Sequence, residues 1–112
     1  MIILKDKTIE FFKEISKIPR ESGNEKQIAE YICNFAKVRN LEYIKDKYNN
    51  VIIKKYVENS SPIILQAHLD MVCEKEENLQ FNFEKDEIKV HEENGYLKAR
   101  GTTLGADNGI GD

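Results

Sequence analysis

The sequence is poor in three features that would each point to a class of protein: cysteine, an excess of basic residues and long apolar runs. Of its 112 residues only Cys33 and Cys73 are cysteines, and neither lies in a CxxC pair. This pattern excludes the dense disulfide framework of a small secreted domain. The formal net charge is -3 at pH 7, and the lysines are spread along the chain. We therefore expect no nucleic-acid partner, because binding phosphates needs a basic face.

The amino-terminal segment also lacks the apolar core of a signal peptide, since its short apolar start is followed at once by Lys5, Asp6 and Lys7. No later run approaches the length that a membrane-spanning helix needs. We expect no membrane association. Together with the sparse cysteines, these features predict a cytoplasmic protein.

The composition is that of a polar globular protein, with 40% hydrophobic and 33% charged residues. A chain of this length fits one domain with one core. It contains no internal repeat, low-complexity tract or linker that would divide it. We therefore expect residues 1–112 to form part of a single domain.

Two helices are predicted in the first third of the chain. Apolar residues recur at three- and four-residue spacing over Asp6–Ile18, which predicts an amphipathic helix that ends at Pro19. Ser22 and Glu25 match a capping box, which predicts a second helix that runs to about Arg39. Four large apolar residues of the second helix are expected to be buried: Ile28, Tyr31, Ile32 and Phe35.

The pattern becomes extended after Asn40. Residues 41–44 and 51–57 predict a pair of strands joined by a turn. The run 62–66, Pro-Ile-Ile-Leu-Gln, is apolar without alternation, which is typical of a central strand covered on both faces. We expect these elements to form an α/β fold with a mixed sheet, in which His68 to Asp70 lie just past the carboxyl end of the central strand.

A charged segment and a hairpin follow. Residues 73–87 show little periodicity, so we expect a long solvated excursion near the candidate site. Asn94-Gly95 is a strong signal for a two-residue turn between strands at 88–91 and 96–99. This hairpin would lead directly into the glycine-rich stretch Gly101–Gly111.

The first candidate for chemistry is the pair His68 and Asp70, directly after the predicted central strand. A neutral imidazole is a good zinc ligand, and its other nitrogen usually donates to a carboxylate or carbonyl that fixes the ring. In an extended segment, residues two apart point to the same side, so Asp70 could orient His68. The alternative is that His68 merely ends a strand and Asp70 caps the next turn.

The second candidate is Asp107, which lies among the glycines at 105, 109 and 111. A carboxylate can bridge two cations about 3.5–4 Å apart, and glycines leave room for such ions. The alternative is that Asp107 caps a following helix. A nucleotide-binding loop fits less well, because the glycine spacing matches neither of the two phosphate-binding motifs.

Three strings in the sequence are similar to one known family. Ile64–Cys73, Tyr96–Gly111 and Ile18–Glu25 resemble the start of the aminoacyl-histidine dipeptidases, also called peptidase D or cytosol nonspecific dipeptidases. The similarity spans most of the chain. Related tripeptidases and deacylases remain alternatives, although in the tripeptidases the position of Asn108 is usually acidic.

The resemblance implies a zinc metallopeptidase with two metal ions and a three-layer α/β catalytic domain, of which this chain would be the amino-terminal portion. It implies that His68 binds one metal, that Asp70 acts as the catalytic-site carboxylate orienting it, and that Asp107 bridges both metals. The substrates would be Xaa-His and other dipeptides. The donor types also suit manganese or cobalt.

The family's general-base glutamate and remaining ligands would lie beyond Asp112. We therefore expect the chain alone to be inactive and to bind metal weakly, because catalytic zinc normally takes three protein ligands. A second hypothesis is a non-catalytic module that associates through apolar surface at 63–65, with a homo-oligomer as one form.

Overall fold

The computed structural model describes residues 2–106, which form two helices and four short strands. The strands make two separate antiparallel pairs, β1 with β2 and β3 with β4. This confirms an α/β arrangement, whereas the single mixed sheet is absent from residues 2–106. The elements are α1 (Ile2–Ser16), α2 (Lys26–Val38), β1 (Glu42–Lys45), β2 (Val51–Lys54), β3 (Val90–Glu93) and β4 (Tyr96–Ala99).

The first predicted helix is confirmed, although α1 begins earlier than predicted and ends two residues sooner. Its last residue, Ser16, donates its hydroxyl to the carbonyl of Phe12 at 2.8 Å. The amides of Lys17 and Ile18 then bond to carbonyls three residues back, both at 3.1 Å. Such tightening of the final turn is common where a proline prevents the helix from continuing.

The second predicted helix is also confirmed, but the predicted capping box is wrong. Glu25 occupies the N-cap position of α2 without a side-chain capping hydrogen bond. Instead, Glu25 Oε1 accepts from the amide of Gly23 at 2.6 Å, and the Ser22 hydroxyl donates to Asp70. The serine fails to cap the helix because a carboxylate from a distant segment accepts its hydrogen.

The chain leaves α2 through a left-handed turn at Asn40, which has φ 56°. The amide of Leu41 bonds to the carbonyl of Ala36 at 2.9 Å, and that of Asn40 to Lys37 at 3.1 Å. This pair of bonds is a Schellman motif, in which asparagine replaces the usual glycine. It turns the chain so that α2 packs against the β1–β2 hairpin.

The core is small and draws on four parts of the chain. Ile28 is the largest side chain that is fully buried, at 2% exposure. The other three α2 residues expected in the core are only half-buried. Met71 enters the core from the segment that carries His68 and Asp70. Within residues 7–106, the buried apolar residues are Phe12, Ile28, Ala29, Ala36, Met71 and Ile88.

The predicted central strand at 62–66 is wrong for the described structure. Ile63 and Ile64 are each 87% exposed and Leu65 is 74% exposed. Within residues 2–106, no backbone hydrogen bond joins this segment to another. A strand exists only through its partners, and an apolar run cannot form one where no neighbouring backbone is available.

The second hairpin is confirmed by its turn. Asn94 and Gly95 both have positive φ, at 53° and 81°, as a two-residue hairpin turn requires. Residues 73–87 form neither helix nor strand, as predicted. Among the helices that the structure describes, none is long and apolar enough to cross a membrane.

Candidate metal site

His68 and Asp70 lie in direct contact, as their spacing predicts. The ring nitrogen Nδ1 of His68 is 2.8 Å from the Asp70 carbonyl oxygen and 3.1 Å from its carboxylate Oδ1. A carbonyl oxygen can only accept, so Nδ1 carries the hydrogen when these contacts form. The lone pair of the neutral ring is then on Nε2, the nitrogen suited to a metal ligand.

The Asp70 carboxylate is itself held by a third residue. Its other oxygen, Oδ2, accepts a hydrogen bond from the Ser22 hydroxyl at 2.5 Å. The bond from Ser22 is the main reason that the pKa of Asp70 lies below its usual value, and the bond from His68 adds to it. Asp70 therefore stays ionised at neutral pH and presents a fixed acceptor to the ring.

Arg20 is a component of the site that the sequence analysis did not identify. It is 6% exposed, and its Nη1 donates to the carbonyls of Leu69 and Asp70 at 3.2 and 3.4 Å. Its Nη2 donates to the carbonyl of Gly105 at 2.6 Å. One side chain thus joins the segment of His68 to the glycine-rich loop. The only sequence signal was its place in the string Ile18–Glu25, which resembles the family.

Burial lowers the pKa of Arg20, and the nearby Cys73 and Asp70 oppose that shift. An arginine side chain nevertheless keeps its charge in proteins. Nε of Arg20 is buried and finds no acceptor within the described part of the chain. The side chain is therefore held through its two terminal nitrogens, which both reach the site's backbone.

Gly105 is required for the close approach of this loop to Arg20. It has φ +76°, and a Cβ built there would lie 2.6 Å from Arg20 Nη2 and 2.8 Å from Met71 Sδ. A side chain at this position would be strained in its backbone and would displace the guanidinium. Close packing, rather than turn formation alone, therefore accounts for this glycine.

Backbone contacts support the same arrangement. The amide of Met71 bonds to the carbonyl of Arg20 at 2.9 Å, within a parallel bridge between Glu21 and Met71. The glycine-rich loop is anchored through Thr103, whose amide bonds to the carbonyl of Glu74 at 2.9 Å. The start of the charged excursion therefore lies against the loop, beside the site.

Cys73 behaves as a packed thiol. Burial raises its pKa, and the nearby Glu21 raises it further. The thiolate is the form that binds metals, so a raised pKa works against a ligand role. Packing is therefore better supported for Cys73 than a role as a metal ligand.

At the candidate site, the described residues provide one imidazole, that of His68, and the carboxylate of Asp70 that orients it. Asp107 lies outside residues 2–106. In that described range, no group of three or more histidine, cysteine, aspartate or glutamate side chains could hold a metal ion. The donor set therefore fits part of a metal site, and the roles of His68 and Asp107 as ligands stay predictions.

A cleft of about 540 Å³ lies elsewhere, between α1 and the β3–β4 hairpin. Its lining includes four basic residues and one acidic residue, but neither His68 nor Asp70. Basic side chains near the end of a helix are ordinary partners of its carbonyl groups. Because neither His68 nor Asp70 lines it, the cleft is separate from the candidate site.

Comparison with known proteins shows that the chain is similar to dipeptidases in sequence and in structure. It is 44% identical over 106 residues to the cytosol non-specific dipeptidase of Escherichia coli (strain K12), covering 91% of this chain and 22% of that protein. The crystal structure of aminoacylhistidine dipeptidase from Vibrio alginolyticus superposes with a TM-score of 0.85 at 40% identity. That match covers 93% of this chain and 22% of the solved chain.

The resemblance inferred from the sequence strings is thus confirmed in sequence and in structure. The chain spans 22% of the length of both relatives. No protein-family model matches the chain.

Proposed function

We propose that this chain supplies part of the active site of a two-metal dipeptidase, with His68 as a ligand to one metal ion. The observation that carries the proposal is the chain of contacts from Ser22 through Asp70 to His68 Nδ1. These contacts place the ring hydrogen on Nδ1 and therefore leave the lone pair of the His68 ring on Nε2. The similarity to two dipeptidases across more than nine-tenths of the chain supports the same role.

Each residue has a defined task in this proposal. Asp70 holds the tautomer and orientation of His68, which raises the basicity of the ligand nitrogen. Asp107 provides the carboxylate that bridges two metal ions, as the family resemblance implies. When bound, the two ions would polarise the scissile carbonyl and lower the pKa of a water molecule. Zinc is the proposed metal, and manganese or cobalt would suit the same donors.

The proposal extends to the fold and the substrates. The described helices and hairpins would form the amino-terminal part of a three-layer α/β catalytic domain, with residues 1–112 belonging to that one domain. The names of the two relatives support dipeptides, including aminoacyl-histidines, as substrates. The name of the Escherichia coli relative supports a cytoplasmic location.

The 112-residue chain alone is proposed to be inactive and to bind zinc weakly. Catalytic zinc normally takes three protein ligands, and His68 with Asp107 provides fewer for either ion. Metal analysis after exhaustive dialysis tests this directly, and zinc should be retained at well below one ion per chain. Stoichiometric retention would contradict the proposal, as would hydrolysis of an Xaa-His dipeptide that Asp107→Ala abolishes.

A second candidate function is self-association through the apolar segment 63–65. Its support is the exposure of Ile63, Ile64 and Leu65 to solvent, since contiguous exposed apolar surface favours association. Sedimentation velocity at increasing concentration should then show a dimer that Ile64→Lys dissociates. A monomer at all concentrations would exclude this function and leave the metal-site proposal unaffected.

A further inference from the structure

We infer that Arg20 is a positioning residue for the metal site, because it fixes the segment of His68 against the loop that leads to Asp107. The inference rests on the proposed function, since it assumes that these two residues bind metal. It concerns a residue that touches neither metal nor substrate in the proposal. Arg20 acts through the backbone on either side of the site.

The contacts of Arg20 join two segments that are far apart in sequence. Nη1 binds the carbonyls of residues 69 and 70, directly after His68, and Nη2 binds the carbonyl of Gly105, two residues before Asp107. A guanidinium presents its donors in a rigid fork, so the positions of these carbonyls are coupled. Burial of the side chain strengthens the coupling by keeping water from competing for the same carbonyls.

The packing at Gly105 is independent support for the link that Arg20 makes between the two segments. The loop approaches so closely that an added Cβ would meet Arg20 Nη2 at 2.6 Å. Gly95 has a similar backbone conformation, at φ +81°, but an added Cβ there would meet nothing within 4 Å. The two glycines therefore separate the cost of the backbone conformation from the effect of the close contacts at Gly105, which are with Arg20 and, at 2.8 Å, with Met71 Sδ.

Lysine cannot replace Arg20 in this role. Its ammonium is a compact charge that lacks the spread of a guanidinium fork, so it cannot hold the carbonyls on both sides in the same geometry. Arg20→Lys keeps the positive charge and releases one segment from the other. We expect Arg20→Lys to weaken zinc binding by about 10–100-fold, the usual effect of losing a group that orients metal ligands.

Gly105→Ala should weaken zinc binding to a similar extent from the opposite side of the contact. Gly105→Ala also presses on Met71, so the double variant identifies the cause: a loss that acts through Arg20 leaves the double variant hardly weaker than either single variant. Arg39→Lys and Gly95→Ala are the matched controls. Arg39 is exposed and stacks on Phe35, so its replacement leaves the site untouched.

The experiment is a zinc titration of the 112-residue chain, followed through the ring resonances of His68. The dissociation constant is measured for the parent, the two test variants, the double variant and both controls. Folding of each variant is read from its amide spectrum, and stability from thermal unfolding. A purely structural role predicts lower stability with an unchanged dissociation constant among folded molecules.

The outcomes are distinct. Zinc binding weakened about tenfold or more in Arg20→Lys or Gly105→Ala, with both controls unchanged, supports the inference. Dissociation constants within twofold of the parent in whichever test variants fold would overturn it while leaving His68 as a ligand. Parent resonances of His68 that do not respond to zinc would contradict the proposed function, and the inference with it.

Discussion

Two neighbouring segments of the chain differ sharply in how they are held. Met71 is buried, and its backbone is bonded to that of Arg20 and Ser22. The run at Ile63–Leu65, only a few residues earlier, is almost fully exposed and makes no backbone hydrogen bond to the rest of the described chain. Both stretches are rich in apolar side chains. The difference shows that backbone partners, and not hydrophobicity alone, decide which stretch becomes fixed.

In residues 2–106 the segments of the candidate site belong to no sheet, and a side chain joins them instead. The carbonyls at 69, 70 and 105 all bind one buried guanidinium. A charge-assisted hydrogen bond is roughly twice as strong as a neutral one. A single side chain can therefore hold the site's backbone where a strand ladder is missing.

The largest expected effect is on stability. Ile28→Ala removes the largest fully buried side chain and should lower the free energy of unfolding by about 2–5 kcal/mol. Ile64→Ala makes the same substitution at a side chain that is 87% exposed. It should change the free energy of unfolding by less than about 0.5 kcal/mol. Urea denaturation followed by circular dichroism measures both. An equal loss of unfolding free energy in both variants would mean that Ile64 is buried in solution. The difference described between its segment and the core would then be wrong.

A second prediction concerns the backbone of the two segments. The amide of Met71, bonded to the Arg20 carbonyl at 2.9 Å, should exchange its hydrogen about 100-fold or more slowly than an unprotected amide. The amide of Leu65 should exchange at nearly the unprotected rate. Hydrogen exchange followed by NMR resolves both positions. Comparable protection at the two amides would indicate that residues 62–66 are paired as a strand.

The smallest effect is the response of Asp70 to pH. Ser22→Ala removes the main cause of its lowered pKa, so the pKa should rise toward the usual 3.8. A carboxyl whose pKa is lowered by folding adds stability above its usual pKa, and loses it as the pH falls through the lower folded value. The variant should therefore lose part of this acid-dependent stability.

A carboxyl-detected NMR titration of Asp70 measures that shift. Ser60→Ala is the matched control, because the Ser60 hydroxyl donates only to the carbonyl of Val57 in an exposed loop. An unchanged pKa of Asp70 in Ser22→Ala would show that this hydrogen bond is absent in solution.

Local patterns in the sequence predicted the elements that local forces determine. Helical periodicity located α1 and α2, and Asn94-Gly95 located the β3–β4 hairpin. The spacing of His68 and Asp70 predicted their contact, because residues two apart in an extended chain lie on the same side.

Features that depend on distant segments could not be predicted in this way. Ser22 resembled a helix cap, and only the fold brings Asp70 close enough to accept its hydrogen. Arg20 carried no local signal for its bonds to carbonyls some 50 and 85 residues away. The run 62–66 had the composition of a central strand, but composition does not supply a partner for its backbone.

The central claim is that His68, held by Asp70, is a metal ligand through Nε2. The chain has one other histidine, His91, whose Nε2 is 3.3 Å from a carboxylate oxygen of Glu93, which makes it an internal control. The most direct test is the ¹⁵N resonance of each histidine ring during a zinc titration at neutral pH. The account predicts a saturable shift of His68 Nε2 that reverses on adding a chelator, with His91 unchanged. A response confined to His91, or equal at both rings, would contradict it.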